Sequence, residues 1–131
     1  MADKAARLAA RKARGARARR AGRRQEIVAA LILMLKGYRI LGFRLRTPEG
    51  EIDLLAQRGD TLAVVEVKSR ASIEEALEAV GPTQRARLKR AARAIAARRA
   101  MRPNVRLDLV ALAPGAWPRH IPDAWREDAS S

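Results

Sequence analysis

The sequence predicts an α/β fold in which a mixed β-sheet is flanked by helices. Three observations lead there: a helical apolar period before residue 37, three strand-like stretches parted by short turn signals between residues 39 and 68, and a long helical stretch after residue 82 that leads into one more strand. Strands joined by tight turns pair antiparallel, whereas a strand that returns after a crossover helix is expected to lie parallel to its neighbour. The expected sheet is therefore an antiparallel three-strand meander plus one parallel strand. At 131 residues the chain suits one compact domain, and large multidomain machinery is excluded.

From Arg23 to about Lys36, the residues Ile27, Ala30, Leu31, Met34 and Leu35 recur at the spacing that lines one helical face, and Gly37 is a natural stop. Strands are expected over Arg39–Arg46, Glu51–Gln57 and Thr61–Lys68, separated by Thr-Pro-Glu-Gly at 47–50 and by Gly59-Asp60. Glu74–Val80 reads as a short helical piece. Pro82 then opens a helix to about Met101, with Leu88, Ala91, Ala92, Ile95 and Ala96 as its buried stripe. Its outer face carries Arg85, Arg87, Lys89, Arg90, Arg93, Arg98, Arg99 and Arg102 with no acid among them. Val105–Leu112 is the returning strand, and Trp117–Ile121 is a short edge piece near the end of a domain spanning 23–126, followed by a polar tail over 127–131. Trp117 and Trp125 are expected to cover the sheet edge, and His120, the only histidine, to sit in a surface turn.

Charge narrows the partners. The chain has 28 Lys and Arg against 14 Asp and Glu, a formal net charge of +14. Nucleic acid is the natural partner of such a surface, because each phosphate that is neutralised releases condensed counterions. Acidic membrane surfaces are the weaker option. Aromatic residues make up only 3% of the chain, too few for extensive base-stacking platforms, and the absence of cysteine excludes disulfides and thiolate zinc sites. Residues 1–24 hold ten Lys and Arg against Asp3 alone, so this stretch is +9. Residues 1–22, nearly all Ala and Arg, read as a mobile basic arm or, alternatively, as a solvated extension without a specific task. The run Ile27–Leu35 is nine residues long and has no cleavage pattern just beyond it, so neither a signal peptide nor a bilayer span is expected, and the location expected is cytoplasmic.

The chemistry concentrates in Gly50-Glu51-Ile52-Asp53-Leu54-Leu55-Ala56 and Val64-Val65-Glu66-Val67-Lys68, where charges stand inside otherwise buried strands. Side chains alternate across a strand, so Glu51 and Asp53 share a face, as do Glu66 and Lys68. A two-residue turn at Gly59-Asp60 pairs Arg58 with Thr61, which brings Asp53 opposite Glu66 and Glu51 opposite Lys68. Facing carboxylates repel and need a cation, which Lys68 or a divalent metal with a preference for hard oxygen ligands supplies. The alternative is a neutralised ion-pair cluster with a purely structural role. A one-residue slip would put Asp53 and Glu66 on opposite faces.

Asp53, twelve intervening residues and then Glu66-Val67-Lys68 resembles the D…(D/E)-x-K signature of restriction-endonuclease-like nucleases. The fuller run Gly50–Ala56 with Val65–Lys68 and Arg70 is similar to the YraN-like family of uncharacterised bacterial proteins, assigned to that superfamily and related to Holliday-junction resolvases. The resemblance spans about Arg23 to Trp125 and implies a restriction-endonuclease-like core and metal-dependent hydrolysis of phosphodiester bonds, DNA before RNA. It implies that Asp53, Glu66 and the Val67 carbonyl hold Mg²⁺ or Mn²⁺, that Lys68 orients the attacking hydroxide, and that Glu26 joins the metal site. Glu26 also reads as a helix N-terminal carboxylate favoured by the macrodipole. Gln84 matches a polar contact in the following helix, and Arg46 the family's arginine, while Gln25 and Arg44 replace a usual Gly and a frequent Asn. Arg70, Arg85, Lys89 and Arg93 complete the expected phosphate contacts. A homodimer is expected for duplex cleavage, with Ile27–Leu35 as a candidate interface. The competing class is a non-catalytic nucleic-acid-binding protein that keeps the nuclease fold.

Overall fold

The computed structural model describes residues 2–98 and 104–125. In chain order the described elements are α1 (Ala2–Leu35), β1 (Arg39–Thr47), β2 (Gly50–Arg58), β3 (Thr61–Ser69), α2 (Ile73–Glu78), α3 (Pro82–Arg98), β4 (Asn104–Leu112) and β5 (Arg119–Ile121). The expected ends of the third helix at Met101, the charges Arg99 and Arg102, and the tail over 127–131 lie outside the described residues.

The five strands form one mixed sheet in the order β1-β2-β3-β4-β5, antiparallel throughout except for the parallel pair β3/β4. Gly59-Asp60 closes the β2–β3 hairpin as a two-residue turn, with Gly59 at φ +60°. The register it sets runs from Arg58↔Thr61 to Leu54↔Val65, the pairing the sequence predicts. At the other end of β2, Gly50 takes φ +123°, a conformation closed to side-chain-bearing residues, and a Cβ there would also press on the Arg87 guanidinium at 3.2 Å.

Helices cover both faces of the sheet, α3 and the short α2 on one and α1 on the other. Leu88, Ala91, Ala92, Ile95 and Ala96 of α3 pack on Ile52, Leu55, Leu62, Val64 and Leu107. Ala29, Ala30 and Leu33 of α1 pack on the opposite face against Leu54, Ala56, Ala63, Val65 and Val110. β3 alternates cleanly, Leu62 and Val64 toward α3 and Ala63 and Val65 toward α1, as a strand buried on both faces must. The small residues of α1 and α3 let both helices sit close to the sheet.

The first helix departs from expectation twice. It begins at Ala2 rather than Arg23, so the segment expected to be a mobile arm is continuous with the helix. Ala and Arg are among the best helix formers, and Arg7 Nη2 reaches Asp3 Oδ2 at 3.0 Å one turn away. Moreover, the face turned to the sheet is Ala29, Ala30 and Leu33, not the bulkier stripe. Ile27 (54% exposed), Leu31 (54%), Met34 (56%) and Leu35 (89%) face outward. Between 27 and 35 the helix is apolar on all sides, so periodicity did not determine which face the sheet takes.

The two tryptophans also separate. Trp125 packs against both the α3 cluster and the smaller cluster of Ala76, Leu109 and Ala111, and its indole N–H donates to Leu77 O at 3.1 Å. Trp117, expected at the sheet edge, is 91% exposed.

Candidate functional site

The β2–β3 hairpin carries the site. Continuing the β3 alternation past Val64 places Glu66 and then Lys68 on the α3 face. One step beyond Leu54↔Val65, Asp53 leaves the regular ladder and its Oδ2 accepts the Val67 backbone N–H at 3.0 Å. A side chain thus ties the strands together where a carboxylate is wanted. Glu66 is 3% exposed, and its Oε1 is buried with no hydrogen-bond partner among the described residues. Burial pushes its carboxyl up to about 8, the neighbouring Asp53 carboxylate adds to the rise, and Lys68 opposes it. Asp53, Glu66 and Lys68 therefore interact at one spot, with Asp53 and Lys68 half-buried around the Glu66 carboxyl.

A buried carboxylate oxygen left without a donor, beside a second carboxylate, suits a hard divalent cation: the ion would neutralise the repulsion and occupy the unmet lone pairs. Among the described residues no group of three or more His, Cys, Asp or Glu side chains is gathered for an ion, so Asp53 and Glu66 stand as a pair. Glu26 is held elsewhere. Both its oxygens accept from Arg44 Nε, at 2.9 and 3.0 Å. Arg44 lies between Phe43↔Leu54 and Leu45↔Ile52, level with Asp53, and adopts φ +48°, a left-handed conformation that a side-chain-bearing residue holds only when its surroundings enforce it. Val67 contributes its N–H to Asp53, as above, and packs against the α1-side cluster.

The cationic residues divide into exposed and engaged ones. Arg46, Arg70 and Arg93 are exposed; Arg46 and Arg98 flank a groove of about 250 Å³ with Leu45 and Ile95 between them. Arg70 Nη1 donates to Ser69 O at 2.8 Å. Arg85 donates from Nη1 to Val80 O at 2.8 Å and lies 5.7 Å from the Trp125 ring, so part of its role is to brace the start of α3. Gln84 and Lys89 are half-buried on α3. Because α3 leads from the end of β3 back to the start of β4, its first turns lie on the Lys68 side of the sheet.

A second polar cluster escaped the sequence reading. Asp108, fully buried on β4, accepts from Arg106 Nε (2.7 Å) and Nη2 (2.8 Å), from His120 Nε2 (2.8 Å) and from the Asp123 N–H (3.0 Å). Burial would raise its pKa, but the bonds from Arg106, His120 and Asp123 together with the Arg106 charge hold it below the usual carboxylate range. The bond to Asp108 raises the Arg106 pKa further against the effect of burial, and its bond to Tyr38 and the Asp108 charge add to the rise. Arg106 also donates to the Tyr38 hydroxyl, and Lys36 Nζ lies 2.6 Å from His120 Nδ1. The side chain of His120, expected in a surface turn, is instead 1% exposed and locks β5 to β4 and to the turn after α1. The clue was an acid inside Val105-Arg106-Leu107-Asp108-Leu109-Val110, the same signal that marked Asp53 and Glu66.

These features define a small α/β protein whose mixed sheet is sandwiched between helices and presents two acids and a lysine from one hairpin. The family model described as Uncharacterised protein family UPF0102 matches residues 25–112. A UPF0102 protein of Caulobacter vibrioides is 68% identical over 117 residues, covering 88% of this chain and 94% of the relative. UPF0102 proteins of Caulobacter sp. strain K31 (66% over 121 residues, 91% and 87% covered) and Parvibaculum lavamentivorans (48% over 131 residues, 94% and 98%) are similar along nearly their whole length. The chain belongs to the UPF0102 family, the same family as the YraN-like proteins. No helix among the described residues is long and apolar enough to cross a membrane.

Proposed function

We propose that this protein is a metal-dependent nuclease that hydrolyses phosphodiester bonds of nucleic acid, with DNA, including branched DNA, as its substrate class. The observation that carries the reading is the Glu66 carboxyl, buried with an unmet oxygen beside Asp53 and Lys68. An apolar side chain of similar size would pack there without penalty, so the acid needs a counterpart. Asp53 and Glu66 would hold Mg²⁺ or Mn²⁺, which when bound lowers the pKa of a water and neutralises charge on the scissile phosphate. The Val67 N–H fixes the direction of the Asp53 carboxylate. Lys68 places a positive charge against the site, where it orients the attacking oxygen. Arg46, Arg93 and Arg98 hold flanking phosphates without reading sequence.

The test is cleavage of nicked and four-way DNA with Mn²⁺ or Mg²⁺. Lys68→Ala is expected to lose cutting by at least about 10²-fold while binding DNA within about twofold of wild type. A second reading, a binder that keeps the fold without catalysis, is favoured by the capture of Glu26 by Arg44, which leaves only two carboxylates at the site. Wild type and Lys68→Ala equally inert on every substrate, with DNA binding intact, would decide for the binder.

A further inference from the structure

The geometry points to Arg87 as a substrate-binding residue: its guanidinium grips a phosphate of the bound strand next to the acidic pair, from a seat that Gly50 keeps open. That the anion is a phosphodiester of nucleic acid rests on the nuclease reading above. Glu66 Oε1 has a counterpart of opposite character in Arg87 Nε, which is also buried without a hydrogen-bond partner among the described residues. The guanidinium lies close over Gly50, where a Cβ would meet Cζ and Nε at 3.2 Å and Nη1 at 3.4 Å. Among the described residues Arg87 has no ion-pair partner, and Glu49, just before Gly50, is taken by Arg90 at 3.3 Å. An arginine that only covered the sheet would bury its stem and extend its head into water. Here the head is partly buried and unmet, a cost that an apolar side chain would not carry.

Placement selects the ligand. β2 and β3 run antiparallel from the Gly59-Asp60 turn, so the start of β2 lies at the same end of the sheet as Lys68. Gly50 and Ile52 share a face by strand alternation, and Ile52 packs with Leu88 in the α3 cluster. Arg87 therefore stands on the face that carries Glu66. At about 3.3 Å per residue, the seat at Gly50 lies about 10 Å along β2 from Asp53. That span keeps the guanidinium from being captured by the acids, as Arg44 captures Glu26, yet leaves it within a few nucleotides of a phosphate placed at them. The seat turns Nε inward and leaves the Nη edge to meet two oxygens of a phosphate, the bidentate match that a guanidinium makes and an ammonium does not. Gln84, three residues earlier and half-buried, lies on the same flank of α3 and can share that phosphate.

Arg87→Met keeps the stem and removes the charge. Measured by anisotropy on a fluorescein-labelled four-way DNA junction with chelator present, the variant is expected to bind at least about fivefold more weakly and to lower the slope of log affinity against log salt by about one unit. Arg39→Met, at an exposed position at the opposite end of the sheet, is the charge-matched control and is expected to leave the slope unchanged. The thermal midpoint of Arg87→Met is expected at or above that of wild type, because an unmet buried donor is removed. Neutralising the junction phosphates singly with methylphosphonate locates the contact: one position is expected to weaken wild type at least about fivefold and Arg87→Met less than about twofold. Failure of wild type to bind the junction, equal slopes for wild type and Arg87→Met, an equal drop in the Arg39 control, or no phosphate to which the variant is blind would each overturn the assignment. A lowered midpoint with an unchanged slope would make Arg87 a packing residue instead. The nuclease reading fails separately, since a wild type that binds the junction but never cuts with Mn²⁺ or Mg²⁺ would end it while these binding measurements still decide Arg87.

Discussion

Replacing Glu66 by Gln keeps the shape of the buried side chain and removes its proton equilibrium. In the folded, ion-free protein that carboxyl ionises near pH 8, against an ordinary value of 4.5. Below pH 4.5 both folded and unfolded chains hold the proton, and the group contributes no slope. Between 4.5 and about 8 the folded chain keeps a proton that the unfolded chain has released, so stability falls as pH rises, by about 1.4 kcal/mol per unit. Across the window the loss is on the order of 5 kcal/mol, and above pH 8 the slope vanishes again. Because Glu66 is almost wholly buried, solvent screening takes little from this figure. The assay is denaturant unfolding followed by circular dichroism from pH 5 to 9, with chelator present. The difference between Glu66→Gln and wild type is expected to move in favour of the variant by several kcal/mol over that range. Parallel stability curves for the two proteins would refute the assignment of a strongly raised Glu66 carboxyl.

Asp108→Ala is expected to cost about 3–5 kcal/mol, since it leaves Arg106 and His120 without their shared acceptor; unfolding midpoints measure it. Since the Asp108 pKa is lowered in the folded state, its contribution is present above the ordinary carboxylate range and is lost as pH falls through the depressed value, so wild type and Asp108→Asn should converge in acid titrations. Gly50→Ala should destabilise by about 1–3 kcal/mol through its φ of +123° and its contact with Arg87, read from thermal melts against the neutral control Ala71→Ser on an exposed position. Deleting residues 2–22 should flatten the dependence of DNA binding on salt, by filter binding or anisotropy, as each lost phosphate contact removes nearly one unit of slope; an unchanged slope would make the arm a bystander.

The sheet was legible in the sequence because its signals are local. Gly59-Asp60 fixed the β2–β3 register, and the returning strand after α3 had one favourable way to pair. Asp53, Glu66 and Lys68 stood out as charges inside apolar strands, and their charges interact at one spot, although the paired ladder stops at Leu54↔Val65 and does not include the expected Asp53–Glu66 and Glu51–Lys68 pairs. Less was visible where competing choices were nearly equal. Ile27–Leu35 offers two apolar faces, and the side with Ala29, Ala30 and Leu33 took the sheet because small residues permit closer approach. Glu26 has several possible partners, and its capture by Arg44 depends on a left-handed backbone that no local pattern announces. The network of Lys36, Tyr38, Arg106, Asp108 and His120 joins the α1–β1 connection to β4 and β5 from residues up to 84 positions apart.

The most direct test of the site is calorimetric titration of Mn²⁺ into wild type, Asp53→Ala and Glu66→Gln, each shown to be folded by circular dichroism. The expected result is one ion bound by wild type and binding lost, or weakened at least about tenfold, in both variants. Equal heats in all three proteins, or no binding to wild type at any pH up to 9, would contradict the claim that this hairpin is a divalent-cation site.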